Sequence, residues 1–173
     1  MMNRSIPWRF PLGAMVVSLA TIIIGPGERP AFSEDPELEA LLEPDVIIVM
    51  KDKAFHVVKG GDPAGDPLFA MEAGLDTEIL LRNEDGVAHE FVSPFFMNVE
   101  VMLSGEATTV FTKDAVGFRV EGGKSVTIRF PSPHVEEGAK IQKNLFWCNV
   151  HGKHPGDKMR GELVLMETKR EAP

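Results

Sequence analysis

The run SVTIRF, residues 125–130, alternates without a fault. Val126, Ile128 and Phe130 fall on one side, and Ser125, Thr127 and Arg129 on the other. A β-strand sends successive side chains to opposite faces, so this run demands a sheet with one face on a core and the other in water. Similar short runs rich in Val, Ile and Phe recur from Asp45 onward, at 45–50, 54–59, 77–83, 89–93, 98–103, 117–120, 144–148 and 161–166. Their lengths suit strands. Turn-forming segments separate them: KGGDPAGDP at 59–67, NEDG at 83–86, EGGK at 121–124 and PSPHVEEG at 131–138. No long helical pattern and no internal repeat interrupts the series. Residues 45–167 therefore read as one all-β domain, a β-sandwich or a small barrel.

The first 33 residues read differently. Arg4 and Arg9 precede a mostly apolar run from about Phe10 to Gly25, and Ala31-Phe32-Ser33 offers small residues where a signal peptidase cuts. The expectation is a signal peptide over 1–33, with an uncleaved anchor as its rival; the run is short for a bilayer span and holds Pro11 and Gly13. Both readings place the folded part outside the cytoplasmic membrane, in the periplasm or an equivalent exported setting. Membrane association would come only through the retained segment. Residues 34–44 form an acidic N-terminal segment, able to make a short helical turn or to stay loose, and 168–173 form a C-terminal tail.

The 173-residue chain has a formal net charge of −8. Removal of 1–33 takes away three arginines and one glutamate, leaving 15 basic against 25 acidic side chains and a net charge of −10. That balance opposes binding to a phosphate backbone and suits a partner with a basic docking face. The single cysteine, Cys148, excludes an internal disulfide. In an oxidising compartment a lone thiol must be buried, joined to another chain, or held by a metal.

Burial alone would be an ordinary fate for a cysteine ending the aromatic run LFWC. The residues that follow argue for more. His151, His154 and Met159 come within eleven positions of Cys148. A thiolate, imidazole nitrogens and a weak thioether form a donor set that favours copper, and a trigonal His2Cys site with a distant axial Met is its electron-transfer form. If only one of the two loop histidines is used, the second must come from elsewhere, and the other is then an exposed ring, a further ligand or a partner contact. His89, which follows the NEDGVA turn at a strand start, is the best candidate. His56 reads as a strand residue and His134 as a surface residue among prolines and acids. Asn149 is placed to brace the loop, Trp147 to pack in the core, and Glu90 could offer an oxygen donor to an altered site. Met97 and Met102 read as core filling.

With these residues in view, the chain resembles the cupredoxin family of small blue copper proteins. The likeness is carried by His89 in GVAHEFVSP, the strand pair FRVEGGKSVTIRF, the approach LFWC to Cys148, and MRGELVL after the ligand loop, and it spans about 45–167. It implies a Greek-key β-sandwich of about eight strands with one copper ion near one end, cycling between Cu(I) and Cu(II). It implies His89 as the upstream ligand, Cys148 as the thiolate and Met159 as the axial ligand. The loop departs from the family's usual spacing. Cys148 to His151 has a familiar two-residue gap but leaves seven residues before Met159, whereas His154 has a familiar four-residue gap to Met159 and an unusual five from Cys148. His151 is the expected ligand, because a two-residue gap turns the chain straight back toward the thiolate. The segment GKHPGDK, 152–158, would then bulge outward.

No nucleophile-elbow serine, HExxH or Gly-rich phosphate loop is present. A thiol nucleophile leaves Met159 unexplained, and an oxidase-type binuclear centre would need a second cysteine. The expected function is a non-enzymatic, exported electron carrier working with a redox protein partner. The alternatives are a copper storage, buffering or delivery protein, and a metal-free sandwich used as an interaction module.

Overall fold

The computed structural model describes residues 43–168. The segment expected at 1–33, all but the last two residues of the acidic stretch at 34–44, and all but the first residue of the tail at 168–173 lie outside them. Among the described residues no helix is long and apolar enough to cross a membrane.

The described chain is all-β, with eleven strands in two mixed sheets. The strands are β1 (Val46–Lys51), β2 (Ala54–Lys59), β3 (Leu68–Glu72), β4 (Asp76–Asn83), β5 (His89–Ser93), β6 (Met102–Gly105), β7 (Thr108–Phe111), β8 (Val116–Val120), β9 (Ser125–Pro131), β10 (Ile141–Trp147) and β11 (Arg160–Met166). One sheet has the order β2-β1-β4-β9-β6 and the other β3-β11-β10-β5-β8-β7. Most pairings are antiparallel, while β1 runs parallel to β4 and β3 parallel to β11. The chain repeatedly changes sheets, giving the crossing connections of a Greek-key sandwich.

The alternation of β9 is realised as written: Val126, Ile128 and Phe130 are buried, and Ser125 and Arg129 are exposed. The inner faces of both sheets meet in one core. At its centre Phe146 packs against Phe91, with ring centroids 4.8 Å apart, and against Phe55 at 5.3 Å and Phe69 at 5.6 Å. Edge and tilted contacts of this kind add about 0.5–1.5 kcal/mol per pair beyond area burial. This aromatic group packs directly beneath the end of β10, from which Cys148 departs.

The strand count exceeds the expected eight, for identifiable reasons. β3 was concealed behind the Gly/Pro-rich loop at 59–67, although Phe69 and Met71 are buried in alternation. β7 is an edge strand with no buried side chain, so it carries no apolar period. The run expected as a strand at 98–103 is divided. Pro94–Asn98 form a 3-10 turn, capped by the Ser93 hydroxyl, which accepts from the Phe95 amide, and β6 begins only at Met102. Ser followed by Pro at the first helical position is the signature of such a start. The strand expected at 144–148 begins earlier and stops at Trp147, leaving Cys148 just beyond it. Met97 and Met102 are 49% and 60% exposed, which overturns their reading as core filling.

Candidate metal centre

Three adjacent strands of the six-stranded sheet bring the site together. β10 pairs with β11 on one side, through Trp147 opposite Arg160, and with β5 on the other, through Trp147 opposite Val92. Cys148 therefore leaves the sheet level with Met159, and His89 stands at the same end of β5. The Cys148 amide donates to the Met159 carbonyl at 3.0 Å, one rung past the end of the ladder.

Cys148 and His89 are fully buried and His151 is half-buried. The Cys148 sulfur, one ring nitrogen of His89 and one of His151 lie within 4.8 Å of one another. Among the described residues this is the one group of three His, Cys, Asp or Glu side chains so placed. The sulfur is 3.7 Å from His151 Nδ1. The loop turns there because the amides of His151 and Gly152 both donate to the Cys148 carbonyl, at 3.2 and 2.7 Å. Burial pushes the His151 imidazole below its ordinary pKa, with a further push from His89 and Lys53 and an opposing pull from Asp85. The ring is thus biased toward the neutral form that binds metals.

His89 shows the donor set from the other side. Its Nε2 lies 2.7 Å from Asp85 Oδ2, while its Nδ1 is buried without a hydrogen-bond partner. An ionised carboxylate only accepts, so the neutral ring carries its proton on Nε2 and keeps a lone pair on Nδ1. A buried polar nitrogen left unpaired costs about 1–3 kcal/mol. Beside a thiol and a second imidazole, that orphan fits a metal ligand, and Cys148 with two imidazoles is the donor set that suits copper.

Surrounding polar groups hold the ligands. The Glu90 amide donates to the Cys148 sulfur at 3.4 Å. The Asn149 side chain links two neighbours, donating to Glu90 Oε2 at 2.8 Å and accepting from the Trp147 indole N–H at 2.9 Å. Asn149 thus braces the loop as expected. Trp147 is half-buried on this bridge rather than a core residue. The Glu90 carboxylate goes to Asn149 and, at 3.7 Å, to Arg119, so what it gives the sulfur is its backbone N–H.

Met159 is fully buried and joined to Cys148 by the backbone bond described above. Gly152 closes the loop beneath it. A Cβ on Gly152 would fall 1.9 Å from the Met159 carbonyl oxygen, so only glycine permits this approach. The bulge expected over 152–158 begins one residue later, since Gly152 is buried in the neck and residues 153–156 are exposed. His154 is exposed there, its amide held by Asp157 Oδ2 at 2.7 Å, and it is not among the three clustered side chains. His56 is exposed on β2, and His134 is exposed with its ring 3.4 Å from Glu167.

Sequence reasoning missed Asp85, which it placed only in a turn. The carboxylate accepts from the Asp52 amide at 2.8 Å and the Lys53 amide at 3.0 Å as well as facing His89. Partial burial would raise its pKa, but the Lys53, His89 and Asp52 contacts outweigh this and hold it below the usual carboxylate value.

No protein-family model and no curated protein matches the sequence. Among solved structures, a mutant of amicyanin in the Cu(I) form is 10% identical, with a TM-score of 0.40 over 69% of this chain and 80% of that one. A second amicyanin mutant, also Cu(I), is 10% identical with a TM-score of 0.41, covering 71% and 83%. The McoA multicopper oxidase of the hyperthermophile Aquifex aeolicus is 15% identical with a TM-score of 0.45, over 70% of this chain and 28% of the oxidase. The two-sheet sandwich itself rests on the strand pairings, and the candidate site lies at one end of β5, β10 and β11.

Proposed function

We propose that the chain is a mononuclear copper protein that carries single electrons between exported redox partners and is not itself an enzyme. His89, Cys148 and His151 would hold the ion, with the Met159 thioether as a further, weaker donor. The observation that carries this reading is the clustering of His89, Cys148 and His151, together with a His89 Nδ1 that is buried and unpartnered. Bound copper supplies one-electron chemistry by cycling between Cu(I) and Cu(II).

The protein's own contribution is to keep the donors still. The Glu90 amide donates to the Cys148 sulfur, the Asn149 bridge fixes the turn after Cys148, and Cys148 itself is fully buried with Phe146 in the apolar core. Hydrogen bonding to sulfur and apolar shielding are the usual levers on a copper site's potential. The lone cysteine and the N-terminal apolar run support an exported setting, and the net charge of −8 supports a redox protein partner with a basic face.

Copper titration of the full chain, followed by visible and electron paramagnetic resonance spectra, tests the proposal. An intense thiolate-to-Cu(II) band at one copper per chain, lost in Cys148→Ser, is the expected result. A second reading, Cu(I) buffering or delivery, draws on the exposed thioethers of Met97 and Met102. Tight Cu(I) binding with no Cu(II)–thiolate band would favour it. Failure to bind copper in either state would end both readings.

A further inference from the structure

The Asp85 carboxylate receives three N–H groups from two separate parts of the fold. Two come from Asp52 and Lys53, the turn residues of the β1–β2 hairpin, and the third from the ring of His89. Asp52 and Lys53 both have φ of 53°, in the left-handed region that a tight two-residue hairpin turn requires. Their amides consequently point together at one acceptor. Only an ionised carboxylate offers enough lone pairs, and no competing donor, to meet all three groups.

Asp85 is itself located from behind. The buried Asn83 side chain accepts from the Asp85 amide at 3.0 Å and donates to the carbonyls of Val87, at 2.8 Å, and Val120, at 3.0 Å. Gly122 packs against the same loop, where a Cβ would fall 2.7 Å from the Gly86 carbonyl carbon and 2.9 Å from the Asp85 backbone carbonyl oxygen. The carboxylate is thus held between the NEDG turn and the β1–β2 hairpin, with His89 as its third contact.

We propose that Asp85 is a positioning residue: clamped by the Asp52–Lys53 turn, it holds the His89 proton on Nε2 and so reserves the Nδ1 lone pair for the metal. Without the carboxylate, His89 can place its proton on either nitrogen, and the Nδ1–H form cannot ligate. A metal-ligating histidine whose second nitrogen is fixed by a carboxylate gains both orientation and basicity, and loss of such a partner commonly costs about 10–100-fold in metal affinity. The inference rests on the proposed metal site but makes a claim about His89 that holds before any metal is added.

The test uses the full chain and two readouts. Nitrogen-15 NMR of the metal-free protein reads the His89 tautomer, and competition with a chelator of known strength reads Zn(II) and Cu(II) affinity. Wild type is expected to show His89 protonated at Nε2 alone. Asp85→Ala is expected to show an Nδ1–H population and an affinity lowered about 10–100-fold. Asp85→Asn, which keeps the shape with one acceptor oxygen fewer, serves if the alanine variant does not fold, and its affinity should fall in the same direction. A folded variant that keeps the Nε2–H tautomer as its sole form, with affinity within about twofold of wild type, would reduce Asp85 to a brace for the turn and overturn the proposal. If wild type binds neither metal, the metal-site reading fails, while the tautomer comparison still decides what Asp85 does.

Discussion

The loop from Cys148 to Met159 contains two histidines three residues apart in opposite surroundings. His151 lies in a neck closed by the Cys148–Met159 backbone bond, by two amides on the Cys148 carbonyl and by Gly152 against the Met159 carbonyl. His154 lies in the bulge beyond, exposed, its local bonds running to Asp157. Spacing to Met159 favours His154 and spacing to Cys148 favours His151, so counting residues does not choose. The two are separated where the backbone closes, which leaves His151 beside Cys148 and His154 outside the cluster. A chain that has paired Cys148 with Met159 can lengthen the intervening bulge at little cost, because extra exposed loop adds only slowly to closure entropy.

This contrast can be broken in four steps of decreasing size. His151→Ala should lower copper affinity more than about 100-fold, beyond the loss typical of an outer partner; chelator competition measures it. Gly152→Ala forces a Cβ against the Met159 carbonyl and should destabilise the metal-free protein by about 1–3 kcal/mol, read from urea unfolding. Asn149→Ala removes the bridge between Trp147 and Glu90 and should cost about 1 kcal/mol in the same experiment. His154→Ala should change stability by less than about 0.5 kcal/mol and leave affinity unaltered. Should His154→Ala weaken binding as much as His151→Ala, the division into neck and bulge is wrong.

The sequence carried most of this architecture, but unevenly. β9 could be read directly because each inward residue is apolar and its neighbours are polar or exposed. β7 could not, since an edge strand with no buried side chain imposes no period on its residues. The 3-10 turn at Pro94 was masked by the alternating NVEV that follows it, although Ser93-Pro94 signalled a helical start. At the site, residue type pointed to Cys148, His89 and a histidine of the following loop, while the two loop spacings left His151 and His154 in competition; the structure brings His151 to the cluster. Asp85 was invisible because its role depends on the β1–β2 turn, more than thirty residues away, meeting the NEDG turn in space. Glu90 was visible for its carboxylate, whereas its contribution to sulfur is the backbone N–H, which no residue type announces.

The central claim is that His89, Cys148 and His151 hold one redox-cycling copper ion. Spectroelectrochemistry of the copper-loaded full chain addresses it most directly, with the visible thiolate-to-Cu(II) band followed through repeated reduction and reoxidation. The account predicts a band at one copper per chain that bleaches on one-electron reduction and returns in full on oxidation. A chain that binds copper but develops no such band, or whose band does not return, would contradict it.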